Sequence, residues 1–146
     1  MIAIDTNLLV YAHRRDSGWH APAVEAMRGL AEASRSWAIP WPVIHEFLAV
    51  VTHPRIYDPP STAAQACHQV DTWLESPSLV LMGEASDYWP ILRAQVSGGR
   101  VTGARVHDAH IAALCVQHGV SELWSADRDF SRFPGVSTRN PLLAAD

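Results

Sequence analysis

The sequence predicts an α/β fold: a mostly parallel sheet of four to five strands, flanked by helices on both faces to make three layers. Three observations predict it. Short apolar runs of strand length alternate with longer segments of helical periodicity, the pattern of crossover units in a parallel sheet. Proline, glycine and small polar residues punctuate the junctions. A length of 146 residues, 48% apolar and 18% charged, suits one domain over residues 1–146 and argues against disorder or a repeat array.

Residues 1–5 read as a buried strand, and Thr6-Asn7 as the N-cap of a helix over residues 8–13. A second helical pattern covers about residues 22–34, with Pro22 suited to its first turn. Residues 36–40 form the second strand, and Pro42 opens a helix that runs to Val51 and stops short of Pro54. Residues 58–62 make a turn into a helix that reaches about Glu75, and residues 79–82 are the third strand. A helix over residues 86–96 is broken by the glycines of residues 97–103, where Ser97-Gly98-Gly99 suggests a mobile rim. The last helix, residues 104–118, is closed by Gly119, and the fourth strand follows at residues 122–125. A polar turn over residues 125–133 precedes a marginal fifth strand at residues 136–137.

Composition narrows the chemistry. All 11 basic residues are arginine, so lysine-dependent mechanisms are excluded: the Walker phosphate loop, Schiff bases and aspartate–lysine phospho-switches. Fifteen acids against 11 arginines give −4, which is no global basic field. No stretch approaches the ~18 apolar residues of a membrane span, and no basic segment precedes an apolar one as in an export signal. A cytoplasmic location is therefore expected, with Cys67 and Cys115 as buried free thiols.

Four acids fall where a parallel sheet would converge them, beyond the C-terminal ends of its strands. Asp5 ends the first strand, and Asp127 lies two residues past the fourth, with Asp129 competing for its role. Glu46 lies a turn inside the helix after the second strand, beside Ile44, Phe47 and Leu48, where a buried carboxylate is costly unless paired or metal-bound. Asp108 shares a stripe with Ile111, Ala112 and Cys115, and Arg105 stands three residues before it as a plain ion-pair partner. Thr6 is read as the capping residue, which frees Asp5. Four carboxylates around one pocket repel, and a cation is what makes such a pocket tolerable. Hard oxygen donors select Mg²⁺ or Mn²⁺ over zinc, and such ions suit in-line attack on a phosphodiester. The remaining 11 acids balance the 11 arginines, so the net charge belongs formally to this cluster.

At these residues the chain resembles PIN domains, and within them the VapC toxins of bacterial toxin–antitoxin pairs. The matching elements are the opening Met-Ile-Ala-Ile-Asp-Thr-Asn, Glu46 within residues 43–47, His-Asp-Ala-His at residues 107–110, and Ser-Ala-Asp-Arg-Asp-Phe at residues 125–130. The resemblance implies a PIN-like sheet and a Mg²⁺- or Mn²⁺-dependent endoribonuclease that cuts transfer RNA or a ribosomal RNA loop. It implies metal-binding and catalytic roles for Asp5, Glu46, Asp108 and Asp127, with Thr6, Asn7 and Ser125 supporting those carboxylates. It also implies a VapB antitoxin partner and a homodimer.

Other features are weaker. Arg14, Arg15 and Arg100 are expected beside the mouth as phosphate contacts. His45, His107 and His110 invite a zinc reading, but no third nitrogen or sulfur ligand presents itself. Trp37 and Trp73 are placed in packing, Trp19 and Trp41 near element ends where RNA or antitoxin could meet them. Two rivals remain: a non-catalytic RNA- or protein-binding module on the same fold, and an aspartyl phosphatase. The complete acidic quartet speaks against the first. The second wants an acid at residue 7, which is Asn, and a lysine.

Overall fold

The computed structural model describes residues 1–143, so the last three residues of the expected domain lie outside the described part. Five strands form one sheet: β1 (Ile2–Ile4), β2 (Trp37–Pro40), β3 (Leu79–Met82), β4 (Glu122–Trp124) and β5 (Thr138–Arg139). Their order is β3-β2-β1-β4-β5 and every pair is parallel. The helices are α1 (Thr6–His13), α2 (His20–Glu32), α3 (Trp41–Val51), α4 (Ala63–Leu74), α5 (Tyr88–Gly99) and α6 (Val106–Gln117). No helix among the described residues is long and apolar enough to cross a membrane.

All four residues of β2 are buried. Successive strand side chains point to opposite faces, so the sheet is covered on both sides, as three layers require. Leu8 and Leu9 of α1, Val43 and Phe47 of α3, and Ile111 and Leu114 of α6 fill the core around the strands. Phe47 meets the rings of His13 and Trp73 edge-on, at centroid distances of 5.3 and 4.8 Å. Trp37 is buried in the same core, and Trp19 and Trp41 remain exposed.

The strand order fixes where a ligand can bind. From β1 the chain steps to β2 and β3 on one side, then returns to place β4 and β5 on the other. The order reverses between β1 and β4, and a crevice opens beyond their C-terminal ends. Asp5 follows β1 and Asp127 follows β4, so this crevice lies between them.

Four expectations need correction. The pair Gly98 and Gly99 does not break a helix: α5 runs through both and ends at Arg100, which takes the left-handed conformation (φ 52°). Both glycines are packing sites rather than a mobile rim. A Cβ on Gly99 would lie 2.7 Å from the Phe133 ring, and one on Gly98 2.8 Å from Pro134. The fifth strand falls at Thr138–Arg139, because residues through Val136 still complete the preceding turn, with Val136 N–H donating to the Phe133 carbonyl at 3.4 Å. The expected start of the last helix, at residue 104, is a 3-10 turn (Gly103–Arg105) that leads into α6. Finally, Cys115 is buried but Cys67 is exposed on α4; both are free thiols.

Candidate active site

Asp5 is nearly sealed from solvent, at 5% exposure. Its Oδ1 accepts the Thr6 N–H at 2.7 Å, which makes Asp5 itself the N-cap of α1. The expectation that Thr6 caps is thus reversed. Asp5 has the extended backbone an N-cap requires, and Thr6 is already the first helical residue. Its Oδ2 accepts the Ser125 hydroxyl at 2.7 Å and the Asn7 amide at 3.3 Å. The Ser125 oxygen in turn accepts the Asp127 N–H (3.0 Å), and the Asn7 carbonyl accepts the Ala126 N–H (3.1 Å). These bonds staple the end of β1 to the end of β4. Asn7 and Ser125 therefore support Asp5 directly, whereas the Thr6 hydroxyl is buried with no partner among the described residues and only its backbone contributes.

Asp5, Glu46, Asp108 and Asp127 line one cavity of about 270 Å³, together with Thr6, Asn7, Val10, Tyr11, Val50, Tyr57 and Phe130. Burial raises the Asp5 carboxyl from 3.8 to about 6. The bonds from Ser125 and Thr6 work against that rise, and the nearby charges of Glu46 and Asp108 add to it. Burial also raises Asp108, against the pull of Arg105. Mutual repulsion among separate chain segments is thus a property of this pocket.

Glu46 reaches the cavity by a different route from the one its neighbours suggest. It is exposed rather than buried, because Val43, Ile44 and Phe47 take the inner face of α3 and leave Glu46 on the rim. It has no hydrogen bond or ion pair among the described residues. Asp127 lines the cavity and accepts the Asp129 N–H at 2.9 Å; Asp129 itself turns to Arg105. The Arg105–Asp108 pair is present at 3.3 Å, so that ion pair and the acidic cluster coexist.

None of the three candidate arginines lines the acidic cavity. Arg14 and Arg15 line a neighbouring cavity of about 600 Å³ with His13, Ser61 and His68. Arg14 is engaged by Asp16 at 2.6 Å and lies over the Tyr57 ring. Arg100 stands exposed at the end of α5, outside the walls of both. His45, His107 and His110 line a third cavity, which shares Glu46 and Asp108 with the acidic one. His110 is taken by Glu84 at 2.6 Å. Sequence reasoning missed Tyr57 and Val50. Val50 stands four residues after Glu46, one helix face, and was within reach of periodicity. Tyr57 comes from an irregular loop that no pattern marks.

The donor set fits a hard divalent cation. It is all carboxylate, its members repel, and the cavity wall includes the orphaned Thr6 hydroxyl. Among the described residues no three His, Cys, Asp or Glu side chains converge to hold one ion. That excludes a ready-made protein cage in this arrangement; magnesium characteristically takes one or two carboxylates and keeps waters.

The model of the PIN domain family matches residues 2–136. The chain belongs to the PIN domain family. Ribonuclease VapC48 of Mycobacterium tuberculosis is 33% identical over 138 residues, 94% of this chain and 95% of its own length. This PIN domain therefore groups with the VapC ribonucleases. Its fold is similar to that of VapBC2 from Rickettsia felis, solved with a DNA fragment from its promoter. There the TM-score is 0.68 at 20% identity, covering 96% of this chain and 98% of that one. VapC20 of Mycobacterium tuberculosis, a toxin that cleaves the sarcin-ricin loop, gives 0.67 at 14% identity, covering 90% and 93%.

Proposed function

We propose that this PIN domain is a Mg²⁺- or Mn²⁺-dependent endoribonuclease, the toxin of a toxin–antitoxin pair, which hydrolyses phosphodiester bonds in a transfer RNA or ribosomal RNA loop to inhibit translation. The observation that carries it is the convergence of four carboxylates on one cavity at the switch point of the sheet. Kinship with VapC ribonucleases supports the substrate class. The VapBC assembly among the similar folds supports a VapB-type antitoxin as partner, and we extend the family habit of homodimers to this chain.

In this reading Asp5 and Asp108 hold the ion, with Glu46 and Asp127 completing the pocket directly or through water. A bound ion supplies charge neutralisation and water activation for phosphodiester hydrolysis. Asp5 is held in one orientation by the Ser125 hydroxyl and the Thr6 N–H, so little freedom is lost on ligand binding. Glu46, exposed and unpaired among the described residues, orients the attacking water and takes its proton. Arg14 and Arg15, in the adjoining cavity, and Arg100 are proposed to meet RNA phosphates.

Purified protein should cut total RNA in the presence of Mn²⁺, with cut sites read by sequencing new 5′ ends. Asp5→Asn is expected to lose at least about 100-fold of this activity while keeping a cooperative thermal transition. Cleavage retained by a folded Asp5→Asn protein would reject the assignment.

A further inference from the structure

One side chain inside the acidic cluster has the wrong sign. Arg105 lies in the 3-10 turn before α6, and its Nη1 reaches Asp108 at 3.3 Å and Asp127 at 3.8 Å. Its Nη2 is bonded to Asp129. One guanidinium thus meets three carboxylates, two of which line the cavity. Asp129 does not line it and serves as the anchor at the rim. Arg105 does not itself line the cavity. Arginine stays charged at any working pH, so this is a permanent positive charge beside two of the cavity's carboxylates.

We propose that Arg105 is the resident second cation of the site. It neutralises Asp108 and Asp127 from beside the cavity, so the pocket takes one divalent ion, on the side of Asp5. This inference rests on the metal-dependent reading above and deepens it. Three observations support it. Asp108 and Asp127 share the cation, and no three-ligand group is assembled among the described residues. The guanidinium is 43% exposed, so solvent and a polyanion reach it. Its five donors exceed its three carboxylate contacts, which leaves N–H groups for a phosphate. The charge a second ion would bring to the leaving side of a phosphodiester is already present in the chain.

The test is Mn²⁺ titration of the RNA-free protein by calorimetry, comparing wild type with Arg105→Gln and Arg105→Lys. Wild type and Arg105→Lys should bind one ion per chain. Arg105→Gln should either take a second ion or bind the first about tenfold more tightly, since a positive charge is removed from the pocket. RNA cleavage gives a second readout: the Hill slope in Mn²⁺ should stand near one for wild type and rise toward two for Arg105→Gln. Two ions on the wild type, or identical isotherms for wild type and Arg105→Gln, would overturn the proposal. No binding by either protein would remove the metal-dependent reading itself, and this inference with it. Thermal melts confirm that each variant is folded before its isotherm is read.

Discussion

Burying a carboxylate at the end of β1 works against folding, and Asp5 shows how much. Its carboxyl titrates at about 6 in the folded protein, against 3.8 when unfolded. Between those values the native state binds the proton and the unfolded chain has released it. Stability must therefore fall as pH rises through that window. The shift corresponds to about 3 kcal/mol. In metal-free buffer, the urea-derived stability of wild type minus that of Asp5→Asn should drop by up to that amount from pH 4 to pH 7. A flat difference would show that Asp5 is not buried as a charge. The thiols offer a second check. Burial pushes Cys115 up to about 12, with Asp5 adding to the rise, whereas Cys67 lies exposed on α4. A thiol reagent at pH 8 should titrate one cysteine in the native protein and two in denaturant.

Among the elements, α5 and α4 are set by different devices. The C-terminal turn of α5 comes so close to Phe133 and Pro134 that side chains there have no room. Gly99→Ala should therefore lower stability by roughly 1–3 kcal/mol, whereas Gly18→Ala, with nothing within 4 Å of its Cβ, should not. Equal melting temperatures for the two variants would remove the packing role. Helix α4 begins with a capping box: the Gln65 N–H donates to the Thr62 hydroxyl at 3.0 Å and the Thr62 N–H to the Gln65 side chain at 2.9 Å. Thr62→Ala should cost about 1 kcal/mol in denaturant titration. Strand β2 is held by burial instead, all four of its residues being enclosed between the helical layers.

For the whole molecule, the governing fact is that segments over 100 residues apart in sequence supply like charges to one cavity. Folding brings them together, and a cation that binds only the assembled pocket must stabilise the fold by mass action. Millimolar Mn²⁺ should raise the melting temperature by several degrees, and chelation should reverse it. The Asp5→Asn, Asp108→Asn double variant should show no such response. An equal response in that double variant would place the ion elsewhere.

Much of this was legible in the linear chain. The alternation of strand and helix, the boundaries of β3, and the placing of Asp5 and Asp127 after strands and of Glu46 and Asp108 near helix starts follow from local periodicity and turn chemistry, which act over a few residues. Asp5 as its own cap, Glu46 on the rim and the continuation of α5 through its glycines were not legible. Each depends on what a distant segment presses against: Ser125 against Asp5, His13 and Trp73 against the Phe47 that turns inward in place of Glu46, Phe133 against Gly99. Asp127 was the candidate and Asp129 its competitor in the sequence, and packing separates them by sending Asp127 into the cavity and Asp129 to Arg105. Local pattern thus names the elements and the charges they carry. Which charge faces which depends on long-range packing, because side-chain electrostatics act through space and are indifferent to order along the chain.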